Sequence, residues 1–176
     1  MKNKLFKLII LLIIFVLVIF AVYYFIDETN LMVKEKTIDL YFATPDAMYL
    51  EPESRTIKGR NLYKEAVNAL IAGPTKQSLT ITIPEGVEVL KITRNNDTIQ
   101  VDFSEEIVNN HWGGSAGERL TVYSIVNTLT QFKGVEQVKF LIEGKEVDTL
   151  VGHMDLSVPL GPSKDLLKST TPPESN

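Results

Sequence analysis

An uncharged, strongly apolar segment near the N-terminus constrains this chain more than any other feature. The segment runs from Leu8 to Ile26 without a charged side chain, and Lys2, Lys4 and Lys7 precede it. As a helix, these 19 residues would be about 28 Å long at 1.5 Å per residue. That length is close to the hydrocarbon thickness of a bilayer, about 30 Å. The segment therefore predicts a transmembrane helix.

The lysines set the expected orientation of this helix, because an excess of basic residues marks the cytoplasmic side. We therefore predict a single-pass protein of the cell membrane with its N-terminus inside and its domain outside. Residues 1–7 form a cytoplasmic stub, residues 8–26 the membrane anchor and residues 27–36 a tether to the domain.

A cleavable signal peptide is the alternative interpretation of the same segment. The apolar region of a signal peptide is usually about 7–15 residues long and ends at a small-x-small cleavage site. In this chain Ala21 is followed by Val22, Tyr23 and Tyr24, which do not form such a site. The sequence therefore favours an uncleaved anchor.

The charge and the cysteine content exclude several function classes. Apart from the three N-terminal lysines, 15 basic and 22 acidic residues remain, for a formal charge near −7. Such a surface does not attract nucleic acid by bulk charge. The absence of cysteine excludes disulfides and thiolate metal sites. The sequence also lacks the P-loop, HExxH and EF-hand patterns, so we expect no cofactor and no metal.

Residues 37–160 have the periodicity of one domain with strands and two helices. Alternating apolar residues predict strands, and apolar residues at helical spacing predict the helices. The predicted strands are residues 37–42, 49–57, 87–93, 98–103, 138–142 and 149–156, and the predicted helices are residues 61–72 and 115–132. We expect an α+β fold, a mainly antiparallel sheet with two helices packed on one face. The composition of residues 161–176 predicts a disordered tail.

Three polar residues of the second helix have predicted structural roles. Ser115 and Glu118 have the spacing of a capping box, in which the serine accepts a hydrogen bond from the backbone of Glu118 and the glutamate reaches back. Asn127 lies at the border of the apolar stripe, where a polar group must find hydrogen bonds. We expect its amide to join the helix to a neighbouring loop or strand end.

The loop before this helix is the candidate binding site. His111 and Trp112 stand on a hinge formed by Gly113 and Gly114, beside a helix N-terminus that favours anions. Arg119, in the first turns of the helix, completes the candidate site for a partner. The alternative is structural: Trp112 closes the edge of the core and the glycines permit the turn.

The ionisable residues supply no recognisable catalytic set. Asp102, Glu105 and Glu106 resemble a carboxylate pair of a glycosidase, but Asp102 is expected on the polar face of its strand and the glutamates near a helix start. His111 and His153 are the only histidines, which is too few for a predicted metal site. We therefore predict that the protein is not an enzyme.

Several segments together are similar to one protein family in their order and spacing. They are residues 38–42, 69–74, 83–86, 101–104, 118–130, 134–135 and 140–144. They resemble the GerMN domain of GerM-type proteins of sporulation and spore germination. GerM-type proteins can have two such domains and a lipid-modified cysteine, whereas this chain has room for one domain and has a predicted transmembrane helix instead.

The resemblance implies an extracytoplasmic binding or scaffold module of the cell envelope, associated with sporulation or germination and without established enzymatic activity. Its partners would be envelope proteins or peptidoglycan, and it would contact the membrane through the segment from Leu8 to Ile26. The alternative function is a cell-wall hydrolase, which would require a cleft with converging ionisable groups.

Overall fold

The chain begins with one long helix. The computed structural model describes residues 2–31 and 33–168. Helix α1 is Lys2–Leu31, and its window Phe6–Tyr23 has a mean hydropathy of 3.1 and no buried part. A helix of this length and apolarity fits a membrane span or a signal sequence. The helix continues through the first half of the predicted tether, to Leu31, a stretch that contains no proline or glycine.

The remaining elements of the described residues follow α1 in this order: β1 (Lys34–Ala43), β2 (Leu50–Gly59), α2 (Leu62–Ile71), β3 (Val89–Asn95), β4 (Thr98–Phe103), α3 (Glu106–Asn109), α4 (Ser115–Leu129), β5 (Gln137–Ile142) and β6 (Lys145–Glu146). The predicted α+β fold class is confirmed. Strand β1 begins at Lys34, where its pairing with Gly59 starts, so the expected tether over residues 27–36 is corrected at both ends.

The strands form two sheets. Strands β1 and β2 pair as an antiparallel hairpin, and the second sheet has the order β3-β4-β5-β6. In the second sheet β4 and β5 are parallel, whereas the other pairs are antiparallel. The second sheet is therefore mixed. A parallel pair requires a crossover connection between its strands, and the segment with α3 and α4 forms this connection from β4 to β5.

Helix α4 lies at the centre of the domain. It contacts β1, α2 and β5, and ten of its 15 residues are buried, so it lacks the polar outer stripe of a surface helix. Its buried hydroxyl groups are paired: Ser124 with Thr82 at 2.8 Å, and Thr128 with the backbone N–H of Tyr41 at 3.3 Å. These bonds satisfy polar groups that would otherwise destabilise the core.

Helix α2 follows its predicted signals. The side chain of Asn61 caps it by accepting a hydrogen bond from the backbone N–H of Lys64 at 3.3 Å. Ala66, Val67 and Leu70 are its buried residues. The helix ends before Gly73, which has a φ of +82° and so permits the turn that stops it.

A buried carboxylate joins β2 to the end of α2. Glu53 accepts hydrogen bonds from the backbone N–H groups of Thr75 and Lys76 and from Arg55. Arg55 in turn donates to the carbonyl oxygen of Gly73 at 2.7 Å. Burial alone would raise the pKa of Glu53, but these hydrogen bonds outweigh it and lower the pKa to about 2.

The C-terminal part differs from its sequence-based expectation. Residues 149–156, predicted as a strand, form a loop. In this part of the chain Lys145–Glu146 pairs with β5, and Leu160 forms an isolated antiparallel bridge with Val138 of β5. The predicted disorder of residues 161–176 is corrected up to Lys168. Leu166 is buried, and the backbone of Leu50 donates to the carbonyl oxygen of Leu166 at 2.7 Å. Residues 169–176 lie outside the described residues.

Candidate functional site

An apolar groove of about 190 Å³ opens beside the start of α4. It is lined by Ala43, Thr44, Pro45, Ala47, Thr80, Ile81, Thr82, Trp112, Gly117 and Leu120. The lining residues come from the β1–β2 turn, from the wall formed by residues 80–82, and from Trp112 with the first turns of α4. Ile81 and Trp112 are 40% and 51% exposed, so the rim presents apolar surface to solvent.

Trp112 rests on the first turn of α4, at Gly117. A Cβ atom at Gly117 would lie 2.7 Å from the indole Nε1 and 2.9 Å from Cδ1 of Trp112. The absence of a side chain at Gly117 therefore provides the surface on which the indole lies. With half of its surface exposed, Trp112 lines the groove and does not close the core. Sequence analysis missed Gly117 because the contact depends on how the loop folds back on the helix.

His111 fixes the loop that carries Trp112. The backbone N–H of Gly113 donates to Nδ1 of His111 at 2.9 Å. The neutral ring then has its hydrogen on Nε2, which lies 3.1 Å from the hydroxyl oxygen of Thr121. Thr121 donates onward to the buried carbonyl oxygen of Thr82 at 2.6 Å. This chain of bonds joins the loop, α4 and the groove wall through one imidazole.

The surroundings of His111 favour its neutral form. Burial of the ring lowers the pKa of His111, and the nearby Glu118 carboxylate opposes this effect without reversing it. The hydrogen bond from Gly113 acts in the same direction as burial, because protonated Nδ1 has no lone pair with which to accept it. The loop geometry therefore belongs to the uncharged imidazole.

The start of α4 differs from the predicted capping box. Gly114 is the N-cap residue, with a φ of +78° and no side-chain hydrogen bond to the helix. Ser115 is the first helical residue and is exposed. The backbone N–H of Glu118 instead donates to the carbonyl oxygen of Gly114 at 3.0 Å. The positive φ at Gly113 and Gly114 agrees with the turn expected there.

The Glu118 carboxylate accepts hydrogen bonds from the loop at residues 148–156. Its Oε1 accepts from the Thr149 hydroxyl at 2.7 Å and from the backbone N–H groups of Leu150 and Val151, and its Oε2 accepts from that of His153. The residue is fully buried. Burial raises the pKa of the Glu118 carboxyl, but the hydrogen bonds outweigh burial and lower the pKa below its usual range.

The two other predicted residues of α4 lie apart from the groove. The amide of Asn127 donates to the carbonyl oxygen of Ser163 at 3.0 Å and accepts from its N–H at 2.9 Å. It therefore joins α4 to the C-terminal segment. Arg119 is exposed and does not line the groove.

The carboxylates considered for catalysis are not gathered in the groove. Asp102, expected on a polar strand face, is 9% exposed and accepts a hydrogen bond from the backbone of Gly144 at 2.8 Å. Its role is to fix the β5–β6 turn. Glu105 is exposed, and Glu106 lies in the first turn of α3. No group of three or more histidine or acidic side chains within residues 2–31 and 33–168 could hold a metal ion.

These features define the class to which the protein belongs, a small α+β domain preceded by an apolar helix. The sequence profile of the family described as "Germane: Sporulation and spore germination" matches residues 39–148. The chain therefore belongs to the Germane, or GerMN, family, and the resemblance noted from the sequence is confirmed. This family is not a known catalytic family.

Solved structures with the same fold support this assignment. The tandem GerMN domains of the sporulation protein GerM from Bacillus subtilis match with 25% identity and a TM-score of 0.63, over 73% of this chain and 46% of that chain. A predicted lipoprotein from Clostridium perfringens matches with 26% identity and a TM-score of 0.53, over 74% and 89%.

The first GerMN domain of GerM taken alone shares the fold, with 23% identity and a TM-score of 0.53, over 75% of this chain and 96% of that one. The chain thus spans about half the length of the tandem-domain structure. The sequence has no match among the curated proteins.

Proposed function

We propose that this protein is a membrane-anchored, extracytoplasmic binding and scaffold module of the cell envelope that acts in sporulation or spore germination. Helix α1 holds the domain at the outer face of the membrane, with the three N-terminal lysines inside the cell. The anchor raises the effective concentration of the domain for partners in the same membrane. The family membership supports the process, and the apolar helix supports the location.

The exposed apolar groove beside Trp112 is the observation that carries the binding role. An engineered apolar cavity of about 150 Å³ binds benzene, so a groove of about 190 Å³ accepts one aromatic or large aliphatic side chain. Tryptophan is enriched among the residues that dominate protein interfaces. The apolar lining suits a side chain of another envelope protein better than a glycan of peptidoglycan, which would require more hydrogen-bonding groups.

Site-specific crosslinking in cells tests this proposal. A photoreactive amino acid replaces Trp112 in the full chain, and a matched variant has it at Val158, which is similarly exposed, at 55%, and does not line the groove. We expect one envelope protein to crosslink from position 112 in sporulating cells, and no such product from position 158. Identical products from both positions, or none from position 112, would contradict the groove as the binding site.

A turnover assay separates the binding module from the alternative hydrolase. The full chain is incubated with purified cell-wall material, and released fragments are measured. The Asp102→Asn variant is compared with the Glu105→Gln variant, because Asp102 is buried and Glu105 is exposed. We expect no turnover by any of the three proteins. Reproducible cleavage that one of these substitutions abolishes would establish an enzyme instead.

A further inference from the structure

A second cleft, of about 340 Å³, contains a concentration of positive charge in an otherwise acidic domain. Lys34, Arg60 and Arg94 line it, together with Tyr63 and Phe132. The chain beyond the N-terminal lysines has a formal charge near −7. A cleft with three basic side chains therefore differs in charge from the rest of the domain. Helix α2 also begins at this cleft, and its positive end adds to the local field.

None of these three residues forms an ion pair within the described part of the chain, although the Glu65 side chain lies beside Gly59, the residue before Arg60. The ion pairs found there join Arg55 to Glu53, Lys58 to Glu35, Lys139 to Glu146 and Lys168 to Glu51. None of them includes a basic residue of the cleft. The β1–β2 register pairs Lys34 with Gly59, which places Lys34 beside Arg60, the next residue along the chain.

Arg94 is held in place by neutral acceptors. Its guanidinium donates to the hydroxyl oxygen of Tyr63 at 3.1 Å and to the carbonyl oxygens of Asn96 at 2.7 Å, Lys133 at 3.2 Å and Gly134 at 2.6 Å. The Tyr63 and Phe132 rings, which also line the cleft, pack edge to face with centroids 4.8 Å apart. These contacts fix the guanidinium without cancelling its charge, so the cleft has a preorganised cation.

The cleft lies close to the membrane along the chain. Lys34 opens β1 three residues after the last residue of α1, Leu31. The path from Ile26 to Lys34 covers at most about 20 Å, at 1.5 Å per helical residue and about 3.4 Å per extended residue. This short connection allows the domain to bring Lys34 within a Debye length of the surface, about 8 Å at physiological salt, where an anionic surface attracts it.

We infer that this cleft binds the phosphate of an anionic lipid headgroup in the membrane that holds α1, and so docks the domain against the outer leaflet. The inference rests on the proposed membrane anchorage. Docking fixes the orientation of the domain, because the face with Lys34 and Arg60 must turn towards the lipid. Arg94, the third cation of the cleft, is held in place by its hydrogen bonds before the lipid binds. The exposed Arg60 presents several donors in a rigid fork, which matches a headgroup phosphate, whereas Arg94, whose donors bond to protein oxygens, adds its charge to the cleft.

Fluorescence quenching in vesicles tests this inference. The chain has no cysteine, so Asn95→Cys, at an exposed position next to Arg94, gives a single labelling site. The labelled full chain is reconstituted into phosphatidylcholine vesicles with or without about 30 mol % phosphatidylglycerol, which provides a negative surface potential. Quenching by a headgroup-attached quencher is measured. We expect stronger quenching in the anionic vesicles and its loss at about 0.5 M salt.

The cleft variant is Lys34→Gln combined with Arg60→Gln, and the matched control is Lys145→Gln combined with Lys164→Gln. All four positions are exposed, so both variants should fold, and both remove two charges. We expect the cleft variant to weaken docking by about 25-fold, or about fivefold for each basic residue removed. The control should dock like the unaltered chain. Equal losses in both variants, or equal quenching in both kinds of vesicle, would overturn the inference.

Flotation of the same vesicles distinguishes a failed anchor from a failed cleft. Recovery with pure phosphatidylcholine vesicles establishes insertion of α1, independently of the cleft. If the chain does not float with them, the anchor is refuted, and binding to anionic vesicles alone then measures the cleft. Addition of inorganic phosphate at a concentration equal to that of the lipid should leave docking unchanged. Its abolition by phosphate would show a site for a soluble anion and would overturn docking on lipid.

Discussion

At the scale of single residues, His111 connects the exposed groove to the buried part of α4. Both ring nitrogens are used, one by the backbone of Gly113 and the other by Thr121. A side chain that accepts at one nitrogen and donates at the other can do so only in its neutral form. Trp112 is the next residue in the chain, so its position depends on the protonation state of the His111 imidazole.

Acidification should release the loop that carries Trp112. Because burial lowers the pKa of His111 in the folded protein, the unfolded chain binds its proton first as the pH falls. The contribution of this residue to stability is complete above its ordinary pKa of 6.5 and is lost as the pH falls through the lowered folded pKa. We expect the fluorescence of Trp112, the single tryptophan, to change in that window.

The matched variant for this titration is His111→Asn. Its amide oxygen can accept the Gly113 hydrogen bond from the position of Nδ1, and it does not titrate near neutral pH. The fluorescence of the variant should stay constant between about pH 7 and pH 5. A transition that persists in His111→Asn would show that another group controls the loop.

Glu118 should be a costly carboxylate to alter, because it accepts four hydrogen bonds in a buried position. Replacement by glutamine, Glu118→Gln, places an NH₂ group against donors that now bond to an oxygen. We expect the free energy of unfolding to fall by about 1–3 kcal/mol, the range for leaving buried donors unsatisfied. Urea unfolding of the full chain measures this. Glu105→Gln, at an exposed position, should change stability by less than about 0.5 kcal/mol, and equal effects would refute the argument.

At the scale of elements, local sequence signals predicted the ends of α2 and the β3–β4 hairpin. Asn61 and Gly73 delimit α2 as the sequence indicated, because caps and helix stops act within one turn. Alternation also predicted the β3–β4 hairpin. It did not predict that β5 runs parallel to β4, because the alternation of Val138 and Phe140 is the same in either strand direction.

Long-range hydrogen bonds explain why the roles of several site residues were not predicted from the sequence. Ser115 and Glu118 have the spacing of a capping box, but Glu118 bonds to a loop more than thirty residues away. Asp102 falls on a predicted polar face, but the turn at Gly144 covers it. In both cases the competing partner is brought near only by the tertiary fold. The groove at Gly117 was not predicted either, because Trp112 is brought onto Gly117 only by the tertiary fold.

The contact between α4 and the C-terminal segment depends on Asn127. Because the amide of Asn127 forms two hydrogen bonds with the backbone of Ser163, Asn127→Leu leaves the N–H and carbonyl of Ser163, both partly buried, unpaired. We expect a loss of about 1–3 kcal/mol in the free energy of unfolding, measured by urea denaturation. Asn68→Leu, on the exposed face of α2, is the matched control. An unchanged midpoint for Asn127→Leu would contradict the assigned role.

At the scale of the whole molecule, composition predicted the class of the protein but not the extent of its domain. The acidic, cysteine-free domain and the apolar helix were evident from the sequence. The segment after Gly161 was expected to be disordered because serine, proline and lysine dominate it. Composition averages over such a segment and does not reveal that a single leucine, Leu166, enters the core. The domain therefore extends to Lys168.

Two truncations of the full chain test whether residues 162–168 belong to the folded domain. Ending the chain after Gly161 removes the buried Leu166, the partner of Asn127 and both backbone bonds to Leu50. The truncation uncovers Leu50 and Leu120, which pack with Leu166, and leaves the hydrogen-bonding groups of Leu50 and Asn127 without their partners. We expect the free energy of unfolding to fall by about 1–3 kcal/mol, the range for leaving buried hydrogen-bonding groups unpaired.

The matched control ends after Lys168 and removes residues 169–176 alone. Both proteins keep α1, so they are compared in the same detergent by thermal unfolding of the domain. The control should unfold at the temperature of the full chain, whereas the shorter protein should unfold several degrees lower, since 1 kcal/mol shifts the midpoint of a domain of this size by about 2–8 °C. If the two truncated proteins unfold together, residues 162–168 do not contribute to the stability of the domain, and the boundary expected from composition is the correct one.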